Sequence, residues 1–369
     1  MFDSPFDSAF GLDISDLSIK IVQLKNMTSR RRSVSFDVSL CASSPLPPGL
    51  IVNGEIMEPE KVRLAIQDLL HGPNEQKEPR INSNWVVVSL PDTQSFFKRI
   101  TYPGDITSIT EAEIITLAKQ HMPFEESTHM LDWQLLPHDD TNKKHTHILI
   151  GAIPKHIANT YTFLCESLNL NVIALELEPL AVARAMITAN KSYENEARAI
   201  LDLGATRSSL IIYDNDSVQF SISIPFSGEL ITTTISQKLG IPYAEAEEKK
   251  RSTGLDATSG NKSVFDIIAQ MTTQLADDIK KAIAFYDSHF EETNHITHIT
   301  MCGGTTNIKQ LDTVLTQALG IESRPGKVFK NLNTNKPLPL SDEAALSYAS
   351  AIGLALRAAD DPFLDRDMI

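Results

Sequence analysis

The chain has 369 residues, 42% of them hydrophobic and 22% charged, the composition of an ordinary globular protein of about two or three domains. A net charge of −14 disfavours a nucleic-acid partner on bulk electrostatics. The 3 cysteines, Cys41, Cys165 and Cys302, are odd in number and widely spaced, so they frame neither a disulfide scaffold nor a zinc site.

The acidic start MFDSPFDSAF lacks a basic n-region, and no run of ~18 apolar residues occurs, so a cytosolic, reduced protein is expected. The segments AFGLDIS, SIKIVQLKN and SVSFDVSLCAS read as strands, with the basic SRRRS as a solvated loop before the third. PPGLIVNGEIMEP is a turn-rich connection, EPEKVRLAIQDLLH has helical spacing, and GPNEQKEPRINSN is a polar loop. From about 84 to 155 the pattern is strand, strand, helix, strand, strand: WVVVSLP, QSFFKRITYP, ITEAEIITLAKQHM, LDWQLLP and HTHILIGAIP. Thr110 and Glu113 open that helix as a capping box. Two helices, KHIANTYTFLCESLNL and EPLAVARAMITAN, then flank the strand NVIALEL.

The second half opens with ILDLGATRSSLIIY, two strands around Asp202, Gly204, Thr206, Ser208 and Ser209. Mechanically this is a hairpin; chemically, a Gly/Ser/Thr turn exposes N–H groups and hydroxyls to a phosphate, and the aspartate suits Mg²⁺ or its waters. A strand SVQFSISIPF, a helix GELITTTISQKLG, a charged helix begun by Pro242 and a long helix begun at Ser263 follow. ITMCGGTTNIKQL runs strand, Gly303-Gly304, helix, so its helix N-terminus is expected to face a ligand. SDEAALSYASAIGLALRA closes the pattern as one helix capped by Ser341 or Asp342.

The hairpin has a twin. LDISDLSIKIVQL at 12–24 aligns with LDLGATRSSLIIY at 201–213, matching Asp13 to Asp202 and Ser15 to Gly204. Two like halves, each offering an aspartate turn, can close over a nucleotide from both sides. The arrangement resembles that of actin, hexokinase and the large heat-shock chaperones. FGLDISDLSIKIVQL, QHMPFEESTHMLDWQLL, ALELEPLAVARAM, AEEKKRSTGL and AIGLALRA resemble, in order, the PilM family of type IV pilus assembly, itself similar to the cell-division protein FtsA.

The resemblance implies an α/β fold of the actin-like ATPase class with two related ribonuclease-H-like halves. Half 1 would span 1–190 (subdomain 1A) with an inserted 1C subdomain at about 84–155, and half 2 would span 191–369 (2A, with 2B at about 230–293). It implies ATP and Mg²⁺ as ligands, with Asp13 and Asp202 at the metal. The first phosphate loop would hold Asp13, Ser15, Asp16, Ser18 and Lys20. Ser15 stands where the family usually has glycine, and Asp16, which adds negative charge near a phosphate, where it has a small hydroxyl residue. Gly204, Ala205 and Thr206 would form the second loop, with Arg207 as an extra contact or a solvated residue. Glu247 and Lys250 would lie near ribose and base, and Gly303, Gly304 and Thr305 at the adenosine. Glu178 would position the attacking water, with hydrolysis slow at most.

As partners the resemblance implies the N-terminal cytosolic tail of PilN, and beyond it pilus motor ATPases and a PilC-like platform protein, so the chain would sit peripherally at the inner membrane through PilN. The tail would enter a groove lined by Phe124, Met122 and Leu90, each of which also reads as a core residue. The acidic DDPFLDRDMI does not resemble FtsA's membrane-binding helix. HTH at 145–147 and HITH at 295–298 read as surface histidines rather than metal ligands. The rival readings are a nucleotide-free scaffold like GspL, a sugar-kinase-like phosphotransferase, and an FtsA-like filament former.

Overall fold

The computed structural model describes residues 6, 8–27, 35–71, 81–102, 109–122, 124–136, 146–189, 191–290, 292–333 and 339–359. The SRRRS loop, most of GPNEQKEPRINSN, the 137–145 turn with His145, most of MFDSPFDSAF and the acidic tail lie outside the described residues. The chain divides into two compact units: residues 1–184, 331–337 and 350–369 in the first, and 185–330 and 338–349 in the second.

The first unit begins as an antiparallel hairpin, β1 (Phe10–Ser15) and β2 (Ser18–Asn26), with Asp13 opposite Lys20, and β3 (Phe36–Pro45) extends it. The turn-rich stretch holds a small hairpin of its own, β4 (Ile51–Val52) and β5 (Glu55–Ile56). Its Asn53 and Gly54 have φ of 51° and 80°, the left-handed pair that Asn-Gly adopts in a type I′ turn. α1 (Pro59–His71) buries Val62, Ile66, Leu69 and Leu70.

β6 (Trp85–Leu90) pairs in parallel with β1, and β10 (Asn171–Leu177) pairs with β6, giving the sheet order β10-β6-β1-β2-β3. The boundary read at 84 therefore moves. Val86, Val87 and Val88 are all fully buried, as a central parallel strand requires, so β6 belongs to the main sheet. The separate three-stranded sheet has the order β7-β9-β8, built from β7 (Phe96–Tyr102), β8 (His129–Leu135) and β9 (Thr146–Pro154). α2 (Glu111–His121) covers it, packing Ile114, Ala118 and Met122 on Ile100, Ile148 and Ile150. Met122 and Leu90 are thus buried in cores, and Phe124 packs half-buried on the same cluster.

The capping box of α2 forms as read, the Thr110 hydroxyl accepting from Glu113 N–H while the Glu113 carboxylate accepts from Thr110 N–H. Thr110→Ala is expected to cost about 1 kcal/mol, read as a lowered midpoint in chemical denaturation. α3 (Lys155–Glu166) leads from β9 to β10, and α4 (Glu178–Met186) follows.

The second unit repeats the plan. β11 (Ala197–Leu203), β12 (Ser208–Asp214) and β13 (Ser217–Ile224) form the meander. α5 (Gly228–Leu239), α6 (Tyr243–Thr253) and α7 (Lys262–His289) follow, then β14 (Ile296–Cys302), α8 (Leu311–Leu319) and β15 (Glu322–Pro325). The sheet order β13-β12-β11-β14-β15 mirrors that of the first unit, and Asp202 faces Ser209 in the register that sets Asp13 against Lys20.

The final helix is broken. α9 (Asp342–Ala345), capped by Ser341 as read, passes through a 3-10 turn into α10 (Ala349–Ala359). From Ser350 onward the chain rejoins the first unit, where Leu354 and Ala358 pack with Ala9, Val87 and Ala181. No helix among the described residues is long and apolar enough to cross a membrane.

Candidate functional site

In the second unit, β11 delivers Asp202 between Ser209 on β12 and Cys302 on β14. The turn after it closes tightly: Gly204 N–H donates to Arg207 O at 2.9 Å, and a Cβ on Gly204 would lie 2.5 Å from that oxygen. The turn's carbonyls face the protein. Gly204 O accepts from Gly228 N–H (3.2 Å) and from the Thr305 hydroxyl (2.8 Å), and Ala205 O accepts from Glu229 N–H (2.8 Å). Every described peptide bond is trans. In a trans peptide the N–H points opposite to the carbonyl, so the amides of Ala205 and Thr206 are turned away from α5. Two consecutive amides turned this way beside an aspartate suit an anion.

Gly303, at φ +81°, lies against this loop, where a Cβ would come 2.6 Å from Asp202 Oδ1. Its N–H donates to Leu346 O at 2.8 Å. Gly304 is exposed and starts a 3-10 turn, Gly304–Asn307, that aims Thr305 at Gly204. The helix expected directly after the glycines begins only at Leu311, after an extended Ile308 and a Gln310 with a left-handed φ of 60°. Backbone N–H groups and hydroxyls, rather than a helix N-terminus, form this wall.

Lys250 completes the group. Its ammonium, on a residue only 7% exposed, donates to Gly228 O (3.0 Å), the Thr232 hydroxyl (2.8 Å) and Glu247 (2.6 Å). Glu247 also accepts from Thr232 (2.5 Å) and from Arg251 Nε (2.8 Å). Burial alone would push the Glu247 carboxyl up, but the hydrogen bonds from Lys250, Thr232 and Arg251 outweigh it and hold the group below its usual 4.5. The structure thus brings Asp202, Gly204, Ala205, Thr206, Gly303, Gly304, Thr305, Glu247 and Lys250 to one place. Sequence reading missed Gly228 and Thr232; the Ser227 cap of α5 (accepting from Leu230 N–H) was the available signal, and a Cβ on Gly228 would sit 2.8 Å from Thr305 Oγ1.

In the first unit, Asp13 is 3% exposed and ringed by hydroxyls: Ser15 (3.2 Å), Ser89 (3.2 Å) and Ser350 (3.5 Å). Lys20 Nζ lies 3.5 Å from Asp13 and donates to Ser18 Oγ at 2.8 Å. Ser89 and Ser350 come from β6 and α10, too far along the chain for any local pattern to announce them. Asp16 takes a partner outside this group. Its carboxylate is buried and accepts from Gly54 N–H at 3.0 Å.

Glu178 opens α4, half-buried. Its neighbour Glu176 is buried in a bidentate pair with Arg184 (2.7 and 2.6 Å). His147 meets Thr101 at 3.3 Å, and His298 Nε2 lies 3.1 Å from Glu322.

The outward amides, the three glycines that admit no side chain and the buried lysine fit a nucleotide, and single carboxylates suit Mg²⁺, which keeps waters and phosphate oxygens as its other ligands. Paired sheets of matching order, each opening on an aspartate hairpin, belong to the actin-like ATPase fold, and solved structures of that fold match. A chain of a PilM–PilN type IV pilus biogenesis complex is 21% identical at a TM-score of 0.80, covering 96% of this chain and 100% of that one. The ethanolamine utilization protein EutJ from Carboxydothermus hydrogenoformans matches at 13% identity and TM-score 0.54, covering 94% and 88%. MreB5 of Spiroplasma citri bound to AMPPNP matches at 11% and 0.51, covering 95% and 96%. The family model of the type IV pilus assembly protein PilM matches residues 11–359, and the chain belongs to that family.

Proposed function

We propose that the chain is an ATP-binding scaffold of the type IV pilus assembly platform that holds the cytosolic N-terminal tail of PilN. The observation that carries the nucleotide reading is the pair of outward amides at Ala205 and Thr206, set beside Asp202 and backed by the buried Lys250. These amides take phosphate oxygens, and Lys20 offsets their charge. Asp13 and Asp202 are the carboxylates that would hold Mg²⁺, as the family resemblance implies. Glu247 and Lys250 serve ribose and base, and Gly303, Gly304 and Thr305 let adenosine approach the backbone. Bound Mg-ATP would supply the triphosphate; Glu178 and Asp202 are the residues that would orient a water, with slow turnover at most.

The PilN reading rests on family membership and on the PilM–PilN complex that the chain resembles. Docking to motor ATPases and a PilC-like protein, and a peripheral place at the inner membrane, follow from that reading. Calorimetric titration of Mg-ATP is expected to give a Kd on the order of micromolar, with a PilN tail peptide binding in a second titration. No binding at millimolar Mg-ATP would overturn the nucleotide reading, and an inert tail peptide the scaffold reading.

A further inference from the structure

We propose that Asp16 is a positioning residue: through the Asn53–Gly54 turn it ties the Asp13 loop mechanically to the three-stranded β7-β9-β8 subdomain. Its role is that of a hydrogen-bond acceptor, not of a charge.

The turn is gripped from opposite sides. On one side, Asp16 Oδ1 accepts from Gly54 N–H at 3.0 Å, in a buried bond. On the other, Gly54 O accepts from the hydroxyl of Tyr161 at 2.9 Å, and Tyr161 is fully buried on α3. Asn53 O accepts from Thr93 Oγ1 at 2.7 Å and from Gln94 Nε2 at 3.4 Å. Gly54 also lies flush on Pro91, where a Cβ would come 2.6 Å from Pro91 Cγ.

The gripping residues are placed in a telling way. Pro91, Thr93 and Gln94 lie on the connection from β6 to β7, and Tyr161 lies on α3, directly after β9. These are the two chain crossings between the main sheet and the three-stranded sheet. One six-residue hairpin, 51–56, therefore touches the loop that carries Asp13, Ser15, Ser18 and Lys20, and both roots of the subdomain. A buried amide that loses its acceptor costs on the order of 1–3 kcal/mol, so the turn follows Asp16 rather than letting go. Close-packed contacts of this kind transmit displacement instead of absorbing it.

This inference rests on the nucleotide reading only for what moves the loop; the link itself is independent of it. An asparagine at position 16 keeps the shape and the acceptor oxygen, whereas alanine removes both. Amide hydrogen exchange on the nucleotide-free chain is the deciding experiment. Asp16→Ala is expected to speed exchange about tenfold at Gly54 and also across 96–102 and 155–161, and Asp16→Asn less than about twofold. Mg-ATP is then expected to slow exchange in 96–102 in the wild type and in Asp16→Asn, but not in Asp16→Ala.

Equal effects of Asn and Ala would make Asp16 a charge and overturn the proposal. So would an Asp16→Ala effect confined to 50–57. If Asp16→Ala fails to fold, Tyr161→Phe cuts the same chain at its far end. It is expected to speed exchange several-fold at Gly54 and in the loop 15–18, and no change in that loop would overturn the link. A wild type that ignores Mg-ATP would sink the nucleotide reading, while the comparison of nucleotide-free variants would still decide the link.

Discussion

Lys250→Met is expected to weaken Mg-ATP binding about a hundredfold and to lower stability by about 2–3 kcal/mol. Methionine matches the length of the lysine stem, so packing is kept while the cation goes. Gly228 O is left with the Thr232 hydroxyl (2.9 Å) as donor, that hydroxyl loses the ammonium, and Glu247 loses its 2.6 Å partner. Arg251 stays on Glu247, but its side chain is 78% exposed and solvent screens it. Adding Glu247→Gln is expected to recover part of the stability and none of the affinity, because the carboxylate that lost its ammonium goes while the ammonium itself does not return.

The pair also sets an acid dependence. The folded carboxyl titrates below its usual 4.5, so its contribution is complete above that pH and is lost as pH falls through the lower folded value. In Lys250→Met the strongest of the hydrogen bonds that lower the carboxyl is gone, so the acid-dependent loss of stability is expected to be smaller. Denaturation series from pH 3 to 7 with calorimetry read both arms; unchanged affinity would remove Lys250 from the site.

The largest loss of stability is expected from Gly353→Val, more than about 4 kcal/mol, a large part of what holds a domain together. At Gly353 the helix α10 crosses α4 so closely that a Cβ would fall on the carbonyl of Ala181, which is itself fully buried. Arg184 clamps the crossing, donating to Gly353 O at 3.2 Å and to Glu176. A branched side chain there forces the helices apart and strips the cover from Gly11, whose own Cβ would meet Ala355 N at 2.6 Å. Limited proteolysis is expected to digest residues 1–184 of the variant while 185–330 persist. A variant as resistant as the wild type would contradict the crossing.

What the chain discloses locally, it discloses well. The two aspartate hairpins were legible because alternation and turn chemistry act over a dozen residues, and the observed registers match. The Thr110 box and the Ser341 cap are three-residue signals and formed as read. Partner choice is another matter. β6 reads as the first strand of the inserted subdomain because its neighbours in sequence lie there, yet its burial on both faces places it beside β1. Asp16 reads as a phosphate-loop acid because it stands between Ser15 and Ser18; its true partner, Gly54, is 38 positions away. The gap after Gly304 holds an extended Ile308 and a left-handed Gln310, neither of which propensity marks.

The return of α10 to the first unit reverses the order in which the molecule is made and the order in which it is finished. The second unit has its whole sheet by residue 325 and its last segment by residue 349. The first unit, though synthesised earlier, still lacks the helix that brings Leu354 and Ala358 to Ala9 and Val87, and the Ser350 hydroxyl that reaches Asp13. During translation its β1 layer therefore lacks this cover until α10 is made.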